Sequence, residues 1–430
     1  MTLDRGGDII QKLLKFDGGF DVSSAIDKKC KWGAILCALL YFASYVTRNN
    51  FNTMLVKVCA DMGCEKSAIS VVTVAATVAY GVGQVVSGLL GDKIKPERLL
   101  FIGTSVTICC NVAMFFCQPI PLMAAIWFVN GCAQSMMWPP MVRLLASNFK
   151  DEAYSYALIR VSWGSSFATI LLYLACPLLL YVMNWRTIML LCAAVGGVIL
   201  AIWLIFSPKI FKNQPATLEK VTESAPAESV PSIKTKLPLG IYLPLVMILF
   251  GIIAMGVLRD GVTNWMPSYL QETFGMKEEN SILSALVPAV LSLITVELAG
   301  KFYEKMKNET VCAAIIYGFA MVMALALYLI AGSSPIASTI IMGIVIGCMH
   351  GVNFMLISIA PKRFVKYGKV STMSGVLNSC TYIGAAASTY GFAVIAENFG
   401  WQATTLSWVF VTLFGGIVCI AASKFWKKYI

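Results

Sequence analysis

Charge is scarce in this sequence. Asp, Glu, Lys and Arg make up 13% of its 430 residues, while apolar residues make up 58%. A soluble chain of this length needs more charge to cover its surface, so a water-soluble globular protein is excluded. Histidine occurs once, at His350, and no two CxxC units stand at metal-ligand spacing. No metal and no cofactor are therefore expected. A phosphate-cradling glycine loop is also missing, as is a nucleophile set beside a histidine and an acid, so the chain does not read as an enzyme. The first thirty residues are charged and contain no apolar core of a cleavable signal, which leaves the first span as the membrane signal. The fourteen cysteines lie mostly in apolar runs and read as small core residues. Cys59 and Cys64 flank a loop and could pair, although a chance neighbourhood is the plainer reading.

Long apolar runs fill the space that charge leaves. Twelve of them read as membrane-crossing helices, at about 32–59, 67–90, 99–117, 122–147, 154–181 and 185–206, then 240–272, 281–301, 310–331, 335–359, 370–396 and 401–425. The expected class is an all-α membrane protein with twelve transmembrane helices in two pseudo-symmetric six-helix halves, 32–207 and 240–425. A cytoplasmic N-terminal segment (1–31, with a short amphipathic stretch at 9–16) precedes them, and a tail (426–430) follows. Between the halves, 208–239 is rich in Pro, Ser, Glu and Lys and reads as a cytoplasmic linker. The net charge of +11 marks cytoplasmic loops rather than nucleic acid. Roughly twenty-five Lys and Arg fall on one side and about four on the other, which places both termini in the cytoplasm of a cell membrane. A shift of 216 residues lays Gly131-Cys132 on Gly347-Cys348, Gln134 on His350 and Trp185 on Trp401. Duplicated halves predict a binding site at their interface near mid-membrane.

Two arginines are candidates for that site. Arg48 lies about 24 Å along the first span, where a guanidinium cannot shed its charge and no acid stands one turn away. Arg259 occupies the matching place in span seven. Asp260 follows it directly, about 100° around the helix, and is not its natural partner. It could pair with an arginine on another helix, or swing onto Arg48 or Arg259 in the empty protein, and is with His350 a candidate coupling residue. Two buried arginines point to an anion. Around them Tyr41, Tyr45, Asn49, Gln84, Gln134, Trp138 and His350 are candidate lining residues, with Trp265 a weaker one. His350 can equally be a neutral core residue, and aromatic residues in spans are commonly packing. Asp92 closes the turn GDKIKPER after span two, where a gating role is the most that is expected. Trp138-Pro139-Pro140 should kink span four. Arg143 and Arg160 stand near the cytoplasmic ends of their helices, where snorkelling competes with gating as their role. Glu297 reads as structural.

The stretches YFASYVTRNNFN, AYGVGQVVSGLLGD, QSMMWPPMVR, VLRDGVTNWMPSYL and ISIAPKRF resemble the organophosphate:phosphate antiporter family of the major facilitator superfamily. The resemblance spans nearly the whole chain and implies the major facilitator fold. It also implies that Arg48 and Arg259 grip a substrate phosphate. Three positions depart from the family pattern: Asn49 and Gln84 stand where lysines are usual, and SWGSSF replaces a region carrying a histidine. The expected function is a secondary active transporter of a small organic anion, an organic phosphate exchanged for inorganic phosphate by alternating access. A proton- or sodium-coupled carboxylate symporter and a transporter-like sugar-phosphate sensor are the alternatives. The expected partners are that anion, inorganic phosphate and the lipid bilayer, with the protein a monomer.

Overall fold

In lipid, a chain with no water to satisfy its amides must satisfy them internally, and a helix does so within one segment. The computed structural model describes residues 27–64, 66–211, 237–284, 286–330 and 332–429. The expected N-terminal amphipathic stretch and most of the expected linker lie outside them. The first six long helices are α1 (Lys28–Thr53), α2 (Lys66–Lys93), α3 (Pro96–Phe116), α4 (Ile120–Asn148), α5 (Asp151–Leu179) and α6 (Trp185–Phe211). The next four are α7 (Tyr242–Phe274), α8 (Leu286–Met306), α9 (Glu309–Leu329) and α10 (Pro335–Asn353). A single helical run, Val370–Trp426, completes the set. Gly400 breaks it at φ 77°, ψ 176°, so its arms 370–399 and 401–426 are α11 and α12. With that run divided, the described residues contain twelve membrane-length helices and no strand.

Local chemistry sets the boundaries. The Asp27 carboxylate accepts from Cys30 N at 2.6 Å to start α1, and the Asn308 side chain accepts from Thr310 N and Val311 N to start α9. Prolines open α3 and α10, where their missing N–H would have no intrahelical partner anyway. The expected kink in α4 is a full interruption at Met136 and Met137, with Pro139 and Pro140 forming the first turn of its second piece. Three boundaries differ from the sequence reading. The run expected to reach residue 59 breaks at Met54, and a separate short helix, Leu55–Met62, follows. Helix α6 continues past Pro208 to Phe211, whose ring packs on Trp203 and Phe149. After α10 the chain stays helical through a wide turn at Phe354–Ile359 and a tight one at Ala360–Tyr367. None of the fourteen cysteines is in a disulfide; Cys59 and Cys64 are neighbours, the Cys64 thiol donating to Cys59 O at 4.0 Å.

The two sets of six helices pack alike. Helix α1 lies on α5, α2 on α4 and α3 on α6; in the second set α7 lies on α11, α8 on α10 and α9 on α12. The sets meet along α2–α11 and α5–α8. One end of the bundle gathers the start of α1, the ends of α6 and α12 and the α10–α11 connection, and is called here the terminal end. Polar ties between the sets concentrate there. The Tyr154 hydroxyl donates to Ser358 O at 2.7 Å, and Lys362 Nζ meets Asp151 Oδ1 at 3.0 Å. The Asp92 carboxylate accepts from Ser371 N at 2.8 Å and Thr372 N at 2.9 Å. The last turn of α2 in one half thus caps the start of α11 in the other, placing negative charge on its positive end.

Candidate functional site

A cavity of about 560 Å³ lies between the two sets of helices. Its lining starts at Tyr41, Trp138 and Phe354, above the closed terminal end. It continues along α1 to Asn52, along α7 to Asn264 and along α11 to Thr389, away from that end.

Arg48 and Arg259 both line it, from opposite halves. The Arg48 guanidinium lies 3.9 Å from the centre of the Tyr80 ring and 5.6 Å from that of Tyr45. Aromatic faces hold a cation without consuming its N–H donors, and among the described residues no carboxylate pairs with it. Arg259 is different. Its Nε donates to Asp260 Oδ1 at 2.8 Å, its Nη2 to Oδ2 at 3.0 Å, and its Nη1 to Asn353 Oδ1 at 3.3 Å. Of the pairings left open for Asp260, the one with its chain neighbour is formed, although the 100° offset argues against it. The two Cβ atoms do diverge, but the long arginine side chain carries its planar fork around the helix surface to meet both carboxylate oxygens. Instead of two bare guanidinium groups, the cavity holds two cations and one anion.

Aromatic and amide groups complete the wall. Tyr382 stands within range of both arginines, its ring edge-on to Tyr80 at 5.1 Å. Tyr41 bridges Tyr45 and Trp138, at 5.1 and 5.3 Å. Trp138 Nε1 is buried without an acceptor, leaving one N–H donor available beside the cavity. Asn49 and His350 line the cavity as well, and Ser162, Ser165 and Ser166 occupy the α5 wall where the family pattern would place a histidine.

Behind Arg48 the helix is fixed by buried amides. Gln134 Nε2 donates to Ser44 O at 2.9 Å and to Thr107 Oγ1 at 2.8 Å, and Thr107 donates to Asn130. Asn111 Nδ2 donates to Thr47 O at 2.8 Å, and Asn50 Nδ2 to Asn111 Oδ1 at 2.7 Å. A buried network of this kind fixes the arrangement of α1 against α3 and α4. Gln134 therefore lies off the main cavity. It lines a recess of about 50 Å³ behind Arg48 and Asn49, where its Oε1 has no donor.

Other expected site residues also fall elsewhere. Gln84 is buried in the seam between the halves and accepts from Asn378 Nδ2 at 3.1 Å. It sits one turn from Tyr80 toward the terminal end, where the halves have already closed. Trp265 packs near Trp401 and does not line the cavity. Arg143 donates to Gly91 O and, at 3.0 Å, to Ile94 O, tying down the α2–α3 turn of its own half instead of snorkelling. Arg160 stacks on Trp163 at 4.0 Å and Tyr156 at 4.8 Å, both on its own helix. Neither arginine bridges the halves through these contacts. Glu297 follows the cavity-lining Val296, and its Oε2 is buried without a donor.

Tyr80, Tyr382 and Asn353 are not among the residues the sequence singles out, whereas the α5 serines belong to the stretch SWGSSF. Each is a polar group in an apolar span, and Asn353 stands one turn after His350. That spacing was the available signal.

Residues 37–389 match the profile of the Major Facilitator Superfamily. The chain belongs to this superfamily. It is a multi-pass membrane protein, in keeping with its run of apolar helices. Among relatives, a probable hexose phosphate transport protein of Chlamydia trachomatis is 23% identical over 391 residues, covering 84% of each chain. The glycerol-3-phosphate transporter of Bacillus subtilis is 22% identical over 388 residues, covering 84% of this chain and 85% of its own. A solved superfamily structure, the proton:xylose symporter, superposes with a TM-score of 0.68 at 12% identity, covering 94% of this chain and 96% of its own. At that identity the likeness concerns the fold alone.

Proposed function

We propose that the chain is a secondary active transporter that carries a small organic phosphate across the cell membrane by alternating access. The observation that carries this reading is Arg48, a cation with no carboxylate partner among the described residues, in a cavity between two six-helix halves. Its ring contacts do not consume the guanidinium donors, and its charge faces the cavity. The curated relatives support phosphate esters as the substrate class. Exchange for inorganic phosphate follows if the empty carrier cannot reorient, because closing the cavity over bare charge is unfavourable. The Arg259–Asp260 pair removes part of that charge and favours a second reading, proton-coupled symport of the same substrate.

Uptake of labelled glycerol 3-phosphate into proteoliposomes tests the substrate class. Vesicles loaded with inorganic phosphate should accumulate label faster than empty ones under exchange, and an inward proton gradient should drive the empty ones under symport. If folded protein takes up no phosphate ester in either arrangement, the transport reading fails.

The lysine- and arginine-rich side, which includes the terminal end, is proposed to be cytoplasmic, with the halves 32–207 and 240–425 joined there. In a background cleared of reactive native cysteines, a membrane-impermeant maleimide applied to intact cells should label a cysteine at position 277 and not one at 224. The reverse pattern would invert the orientation.

A further inference from the structure

Asp260 and an incoming phosphate compete for one guanidinium. Arg259 gives its fork to the Asp260 carboxylate through bonds of 2.8 and 3.0 Å, and Asn353 takes a third donor. A phosphate drawn in by Arg48 that takes the Nε–Nη2 fork of Arg259 displaces that carboxylate. The displaced group is not left in open water, since the Asp260 side chain is 24% exposed in a cavity walled by both halves.

Charge then decides what must follow. Arg48, Arg259 and Asp260 together give the cavity one net positive charge, and a phosphate monoester dianion changes it to one net negative. When the halves close, water leaves and the effective dielectric falls, so a residual charge becomes costly in proportion. One proton restores neutrality. The remaining ionisable groups that face this space are Tyr41 and Tyr45 from α1, Tyr80 from α2, His350 from α10 and Tyr382 from α11. The walls from α4, α5 and α8 carry Trp138 and serines but no ionisable side chain. Of all these, Asp260 is the group whose partner the substrate removes.

We infer that a divalent substrate is bound together with one proton, and that Asp260 is the residue that accepts it. A monovalent substrate balances the cavity by itself and enters without a proton. The inference rests on the reading that the ligand is a phosphate ester, and it holds whether the cycle is exchange or symport.

Titration calorimetry on the purified full-length chain with glycerol 3-phosphate at pH 7.5 tests it. A phosphate monoester with a second ionisation near about pH 6 is then almost wholly dianionic. The dependence of the binding enthalpy on buffer ionisation enthalpy should give close to one proton taken up per ligand. By linkage, affinity should weaken by up to about tenfold per unit rise in pH. Asp260→Asn should bind without proton uptake, and Asp260→Glu should restore it. Binding to wild type with no proton uptake overturns the inference. So does undiminished uptake in Asp260→Asn, which would assign the proton to another group such as His350. In both of those results the ester still binds, so the transport reading stands. If no phosphate ester binds to any folded variant, that reading and the inference fail together.

Discussion

Arg48→Ala should weaken the binding of a phosphate ester by on the order of 100-fold, about 3 kcal/mol, with little change in thermal stability. The size follows from removing the charge-assisted bonds of a guanidinium in a partly desolvated cavity, where truncating one partner of a charge pair costs about 2–5 kcal/mol. Stability should hold because Arg48 makes ring contacts, not an ion pair, so no buried counter-charge is stranded. Arg48→Lys should recover only part of the loss, since an ammonium lacks the planar fork. Arg259→Ala should act differently, because it strips Asp260 of its partner and leaves a carboxylate that repels the ligand. Adding Asp260→Asn should therefore restore some affinity to Arg259→Ala. Wild-type affinity in a folded Arg48→Ala, Arg259→Ala double variant would remove both arginines from the site.

Gly88→Ala combined with Gly375→Ala should stop transport while leaving ligand binding from the open side intact. These glycines face each other across the α2–α11 seam at the closed end. A Cβ on Gly375 would come within 2.2 Å of Gln84 O, and one on Gly88 within 2.8 Å of Ser371 O. Both obstacles are backbone atoms of the opposite half, so the halves must part to make room. Overpacking costs about 1–3 kcal/mol per site. Two such sites approach the ~5.5 kcal/mol that inverts a 99:1 equilibrium, so the pair should hold the terminal end open. A cysteine at Ser379, whose hydroxyl donates to Gly81 O in the seam, should become reactive from the terminal side only in the double variant. Normal transport by the double variant would show that this seam does not need to close.

The helical architecture was readable because lipid leaves few choices: long apolar runs must be helices, and turns fall where Gly, Pro and charge collect. The boundaries that moved did so where packing outweighed local composition. Pro208 would be expected to end α6, yet Phe211 packs onto Trp203 and Phe149 and draws the helix past it. Arg48 was legible because an isolated charge in an apolar span has few innocent explanations. The pairing of Arg259 was not, because the angle between neighbouring Cβ atoms says nothing of where a four-bond side chain ends. Gln84 and Gln134 lie off the main cavity for another reason. Both lie on polar faces, but whether a polar face meets water or another amide depends on which end of the bundle has closed, and sequence spacing does not contain that.

The unequal arming of the two halves, with one bare guanidinium and one neutralised, also makes the empty carrier sensitive to voltage. A site whose single net charge gains access first to one face and then to the other moves that charge through the electric field, even if no atom crosses the bilayer. For one elementary charge and the whole field, a potential of 100 mV is worth about 2.3 kcal/mol. The unloaded protein should therefore rest with its cavity open to the electrically negative face. Loading with a dianion and its proton cancels the charge and releases the carrier from the field. Stepping the voltage across a membrane containing the empty protein should produce a transient current that saturating substrate abolishes.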